Sequence, residues 1–198
     1  MPNSPNFLRR LHFILAGFLL LALCQFLLGQ GASATVVVPL DLRELTKRAE
    51  HIVIGSCDKT VSSWDQERKR IFTDITLDIE TCLKGSNCPR RLTIRQWGGR
   101  VDDIIMKVEG NPRFNSGERV LVFLEMFSAP YYRVIGLSQG KFHLKSREEV
   151  WYARRETNGL KFLEFDGRNY HVGRQDRPEE EVELNYLLEA IKSYLPER

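Results

Sequence analysis

Gly136-Leu137-Ser138-Gln139-Gly140 spells G-x-S-x-G, the string that carries an acyl-transfer serine on a strand-to-helix elbow. Asp166 and His171 follow in the chain order of an α/β-hydrolase triad. The chemistry needs a helix directly after the serine, to present Oγ and to supply an oxyanion-hole N–H. Lys141-Phe142-His143-Leu144 reads as a strand instead, and no strand–helix–strand units surround it. Two glycines that let a strand bend sharply account for the same residues. A serine hydrolase using Ser138 therefore stands only as the enzyme alternative, and the expectation is a protein that is not an enzyme.

The other reactive side chains are scattered. His51, His143 and His171 show no H-x-x-x-H spacing and sit beside no cysteine pair, so no metal or cofactor is expected. Asp102-Asp103 reads as solvated loop charge. Cys57, Cys82 and Cys88 lack the C-x-x-C spacing of a metal site. A Cys82–Cys88 bridge would close a small loop and is preferred; Cys57–Cys82 stays open. The aromatics offer more. Trp64 and Trp97 lie in or beside loops, and Tyr131-Tyr132 begin a strand. Such rings either cap the ends of a core or form a binding platform. The Gln96–Asp103 stretch combines an aromatic, two glycines and charges of both signs. Its Trp97, Gly98, Gly99, Arg100 and Asp102 form the candidate interaction surface.

The compartment comes from the first residues. Arg9 and Arg10 precede an apolar run, Phe13–Leu28, and Ala32-Ser33-Ala34 has the small-x-small pattern of a signal-peptidase site. A cleaved signal peptide over 1–34 is expected, with export to the periplasm or medium and no membrane anchor left behind. That leaves 164 of the 198 residues as one domain, 35–198, long enough for a sizeable core. The leader takes two of the 29 basic residues, so 27 face 26 acidic ones. Near-neutrality removes the global electrostatic case for nucleic acid. Basic clusters at Arg68-Lys69-Arg70 and Arg90-Arg91 fall where turns are expected.

These residues must be placed by strands. Ile71–Gly85 alternates apolar and polar residues with period two, the pattern of a strand with one face buried. Ile52–Val61 and Arg91–Trp97 flank it, and Ser62–Arg70 reads as the loop between the first pair. Val120–Leu124 is apolar on both parities, so both its faces are expected to be buried. Tyr131–Leu137 and Lys141–Leu144 read as one strand interrupted at Gly136 and Gly140. Val150–Arg155 and Leu160–Phe165 flank Asn158-Gly159, a hairpin signal. Asp41 can cap a short helix near the N-terminus, and Leu184, Leu187, Leu188, Ile191 and Leu195 recur at helical spacing near the C-terminus. A mainly β fold follows: a small antiparallel OB-like, five-stranded barrel with an added hairpin and two terminal helices.

Four pieces also carry a resemblance: AEHIVIGSC (Ala49–Cys57), FTDITLDIETCLKG (Phe72–Gly85), FNSGERVLVFL (Phe114–Leu124) and RVIGLSQGKFHL (Arg133–Leu144). Together they resemble a group of poorly characterised exported bacterial proteins. More remotely, they resemble the netrin-like domain of tissue inhibitors of metalloproteinases, a five-stranded OB-type barrel. The animal inhibitors bind the protease zinc through an N-terminal cysteine. Here the expected mature start is Thr35, so that mechanism does not carry over. The resemblance implies a fold and a binding role, with another extracytoplasmic protein, such as a protease, as the partner. A carbohydrate- or cell-envelope-binding barrel is the other binding alternative.

Overall fold

The computed structural model describes residues 34–157, 159–173 and 181–196. Residues 1–33 of the expected leader, the Arg174–Pro178 linker, Asn158 and Glu179-Glu180 lie outside these. The unit from Ala34 onward is mainly β with two helices.

β2 (His51–Trp64), β3 (Ile71–Lys84) and β4 (Arg91–Trp97) form an antiparallel meander. β7 (Arg119–Ser128) pairs with the other edge of β2. β8 (Tyr131–Val134) pairs antiparallel with β7 and parallel with β4. These pairings close β2, β3, β4, β8 and β7 into a five-strand ring. The alternation in β3 pointed to a strand with one buried face. Ile71, Thr73, Ile75 and Leu77 face inward and are buried, while Asp74 and Asp78 face out. The ring is filled by Val53, Ile75, Leu77, Ile94, Val122 and Leu124, among others. Each large apolar side chain removed from water there contributes about 1.5–3 kcal/mol before entropy is counted. Gly55 lets β2 hug β3, because a Cβ there would run into the backbone carbonyl of Asp78.

A second core lies outside the ring. Helix α1 (Leu42–Arg48) is capped by Asp41, whose carboxylate accepts from Glu44 N at 2.7 Å. Helix α2 (Leu184–Ser193) buries Leu184, Leu187 and Ile191. Both pack with Ile52, Ile54, Leu121 and Phe123. β7 thus feeds Val120, Val122 and Leu124 into the ring and Leu121 and Phe123 into the helical layer. Burial of both faces is the double parity read in its sequence.

Three sequence expectations are corrected. Tyr131–Leu137 and Lys141–Leu144 are not one interrupted strand. A 3-10 turn over Leu137–Gly140 separates β8 from β9 (Lys141–Arg147), and β9 leaves the ring to pair with the N-terminal part of β7 and with β10 (Val150–Arg155). The turn can do this because Gly136 and Leu137 both take left-handed φ, 66° and 62°. Second, β10 and β11 (Leu160–Phe165) do not form a hairpin across Gly159. β10 turns back on β9 through Glu148-Glu149, both at positive φ, the conformation of a tight hairpin turn. β11 lies instead between β1 (Thr35–Val37), in parallel, and β12 (Tyr170–Val172). Third, the Gln96–Asp103 stretch is not open loop. Gly99–Val101 (β5) and Ile104–Met106 (β6) form a small hairpin. A three-residue strand, β13 (Glu181–Glu183), pairs with the outer edge of β10.

Cys82 and Cys88 are joined by a disulfide, and Cys57 is free and buried. The bridge ties the end of β3 to the turn before β4. A closed loop this short restricts the unfolded chain by about 2 kcal/mol. The Cys82→Ser/Cys88→Ser double variant is expected to keep the native near-UV spectrum and to unfold in urea with a loss of roughly that size.

Candidate binding face and a buried charge cluster

The β3–β4 register sets Phe72 opposite Trp97 and Asp74 opposite Arg95, all on the outer side of the ring. Tyr131 joins them because β8 sits beside β4. The result is a ladder of five side chains. The Arg70 guanidinium lies 4.9 Å from the Trp97 ring, and Trp97 stacks on Phe72 with centroids 4.2 Å apart. The Arg95 guanidinium follows at 5.3 Å from Phe72 and 3.5 Å from Tyr131. Asp74 locks Arg95 with two hydrogen bonds, Nε to Oδ1 at 2.7 Å and Nη2 to Oδ2 at 2.6 Å. The side chain is thereby fixed before any partner arrives. Phe127 meets Trp97 edge-on at 6.2 Å, and Arg133 covers Phe127 at 5.9 Å while bonded to Glu125. A trough of about 550 Å³ runs alongside, lined by Trp64, Phe72, Arg95 and Tyr131 with the β2–β3 turn.

The five residues singled out in the sequence divide here. Trp97 belongs to the ladder. Gly98 and Gly99 allow close approach: both have positive φ, and a Cβ on Gly99 would meet the hydroxyls of Thr73 and Ser62. The Thr73 hydroxyl donates to Gly98 O at 2.6 Å. Arg100 and Asp102 are exposed on the β5–β6 hairpin, where Arg100 Nε donates to the Asp102 carbonyl at 3.1 Å. Sequence reasoning missed Phe72 and Arg95, whose alternation marks them only as outward residues; the ladder exists through register across strands.

A second constellation went unread. Lys141 and Glu118 are buried together, with side chains 1% and 5% exposed, and Nζ lies 2.5 Å from Oε1. The same Oε1 takes a hydrogen bond from His143 Nδ1 at 2.7 Å, and Oε2 accepts from Asn115 N at 2.8 Å. Lys141 also donates to the Arg113 carbonyl and, at 3.3 Å, to Glu156. Every polar atom of the pair has a partner, which is the condition for burying charge without a large penalty. The cluster staples the 113–118 segment onto β9. Burial pushes the Glu118 carboxyl up. The Lys141 and Asn115 bonds pull it down further, leaving it below the usual carboxylate range. Cys57 lies nearby; burial pushes its thiol up, against a weak contact with Thr60, so it is a poor nucleophile.

Ser138 sits in the 3-10 turn. It is buried, and its Oγ has no hydrogen-bond partner. Asp166 instead accepts from the N–H groups of Arg168 and Asn169, which holds it to the β11–β12 turn, and His171 faces Glu164. The base and the access that a nucleophilic serine needs are not assembled around Ser138.

No family model, curated protein or solved structure matches this chain. Among the described residues, no three acidic, histidine or cysteine side chains converge as metal ligands, and no helix is long and apolar enough to cross a membrane.

Glu118 sets an acid limit on the fold. Its folded-state value is lowered, so its contribution is complete at neutral pH. That contribution begins to fade below about pH 4.5 and is lost as pH falls through the lower folded value. Glu118→Gln is expected to cost about 1–3 kcal/mol at pH 7 by removing the charged partner nearest Lys141, which keeps the Arg113 carbonyl and Glu156, and to flatten the acid limb of the stability curve. Adding Lys141→Met should recover much of that loss, a coupling that urea unfolding of the four variants in a double-mutant cycle would measure.

Proposed function

We propose that this chain is an exported, non-enzymatic binding module built on an OB-type barrel, which engages another extracytoplasmic protein through the aromatic–arginine ladder. The observation that carries the reading is the ladder itself, Arg70–Trp97–Phe72–Arg95–Tyr131, pre-assembled on one outer face. Tryptophan, tyrosine and arginine supply most of the binding energy in protein interfaces, and rigid anchors lose little entropy on binding. The barrel reading rests on the five-strand ring with its parallel β4–β8 seam. OB-type barrels bind ligands on the face of their second and third strands and on the loops after the first and fourth. Those places correspond here to β3–β4, the Asp65–Arg70 turn and the Ala129-Pro130 turn, all of which border the ladder. This is a fold-level analogy, and the site residues carry the weight. The disulfide fits an oxidising compartment, and the leader pattern supplies the export route.

A protein partner suits the face better than a sugar. Carbohydrate platforms offer open ring faces, whereas Phe72 lies against both Trp97 and Arg95, and Trp97 against both Phe72 and Arg70. Aromatic rings and guanidinium groups together have the composition of an interface core.

Tyr131→Ala and Trp97→Ala are each expected to weaken capture of the partner from the extracytoplasmic fraction by about tenfold or more, with Arg95→Ala at least as severe. Affinity purification with quantitative mass spectrometry reads this out. Unchanged recovery across all three variants would remove the face from consideration.

A further inference from the structure

The five-strand ring is open at one end of its parallel seam. β4 and β8 pair at Thr93–Tyr131 and Ile94–Tyr132, and the pairing stops there although β4 runs on to Trp97 and β8 to Val134. A cavity of about 120 Å³ lies at the opening. Arg95 and Trp97 line it from β4, Arg133 and Val134 from β8, and Phe127 and Leu137 add apolar wall. Val134 is buried, whereas the Arg133 side chain is half exposed, so the cavity runs from the ring core to the face that carries the ladder. Two amides also border it, and their donors are engaged: Gln96 Nε2 donates to Pro112 O and Asn111 Nδ2 to Trp97 O. Leu137 takes its place in the wall at φ 62°, a left-handed backbone that is costly for leucine.

We propose that this cavity receives the C-terminal residue of the partner chain, its apolar side chain inside and its α-carboxylate on the Arg95 and Arg133 guanidinium groups. The inference rests on the ladder reading for the partner being a protein. Size sets the first limit. An apolar cavity of about 150 Å³ admits benzene, and drug-sized ligands need about 300 Å³ or more, so this one holds a single side chain of valine or leucine size. Charge sets the second. Both ionisable residues in the lining are arginines. Asp74 and Glu125 balance them but leave donors over. Arg133 bonds to Glu125 through Nε, and its two Nη groups have no hydrogen-bond partner among the described residues. A guanidinium fork of this kind matches a carboxylate. Apolar wall and guanidinium groups bound the same small space, so an apolar body and an anionic head must come from one residue. An internal leucine has the body without the head, and an internal aspartate has the head without the body. Within a peptide chain only an apolar C-terminal residue has both, and capture of a terminal carboxylate is a general mode of peptide recognition. Asp74 already fixes Arg95 with two hydrogen bonds, so that side of the site is ordered before the partner arrives.

The test selects random decapeptides, displayed with free C-termini, on the immobilised compact unit 34–198. The expected result is enrichment of leucine, valine, isoleucine or methionine at the last position. Fluorescence anisotropy then compares each selected peptide as the free acid and as the C-terminal amide, and the amide should bind about tenfold more weakly or worse. Arg133→Gln should remove most of that difference, and Phe127→Ala should weaken acid and amide alike; unchanged near-UV circular dichroism would confirm that both variants are folded. No enrichment, enrichment at internal positions only, or equal affinity for acid and amide overturns the proposal. So does isocaproate binding as tightly as the peptides, since the ligand would then be a small free carboxylate. The ladder is tested apart from this, because Tyr131 does not line the cavity and Arg133 and Phe127 are not among its five residues. If the library yields nothing while Tyr131→Ala still lowers partner capture, the chain-end inference fails and the ladder stands. If the ladder variants leave capture unchanged, that reading fails whatever the library yields.

Discussion

The central run of β7, Val120–Leu124, has no side open to water. Val120, Val122 and Leu124 complete the inside of the ring, Leu121 and Phe123 complete the layer under the two helices, and all five are fully buried. A strand in that position must satisfy its backbone on both edges. It does so with β2 along one edge and with β8 and β9 in turn along the other. The two cores are therefore not independent. A change in the packing of one is felt in the other through a single run of five residues, because close-packed interiors transmit volume changes. The helices, the ring and the departing β9–β10 arm are all positioned relative to this strand.

The Lys141–Glu118 pair belongs to the same arrangement. Glu118 immediately precedes β7, and Lys141 opens β9, so their ion pair sits where β9 joins the doubly buried strand. An apolar pair there would pack as well and cost less desolvation. The charged pair adds direction: Nζ and both carboxylate oxygens each hold a further partner, and these fix the Arg113–Asn115 backbone in one place. That segment borders the groove beneath the β5–β6 hairpin. The electrostatic cluster thus positions a surface loop as well as two strands.

What could be read from the sequence was what is local. The alternation in β3, the double parity of β7 and the limits of Arg91–Trp97 each come from side-chain period and appear where expected, as does the helical spacing from Leu184, although Glu181–Glu183, expected as the helix start, pairs as a strand with β10. The favoured cysteine pairing also appears. The failures were contests between local signals and tertiary partners. Asn158-Gly159 looks like a hairpin turn, but β1 and β12 occupy the edges of β11, and Glu148-Glu149 makes the tight turn without glycine. Lys141 reads as a surface lysine at the head of a strand, and only the distant Glu118 makes its burial affordable. Of the ladder, Trp97 could be picked out as an aromatic beside glycines. Phe72 and Arg95 could not, because their meaning depends on register across strands.

β1 has a topological consequence of its own. Among the described residues its strand partner is Leu160–Phe162, joined in parallel and far along the chain. A chain emerging N-terminus first can close the meander of β2, β3 and β4 from contiguous sequence. Thr35–Val37 must wait until almost everything else has appeared. Thr35–Val37 therefore find their strand partner only once β11 has emerged, whereas β2, β3 and β4 can pair as soon as they appear. Order of synthesis and order of assembly run opposite ways at this one strand: the first strand of the described chain is among the later ones to be paired.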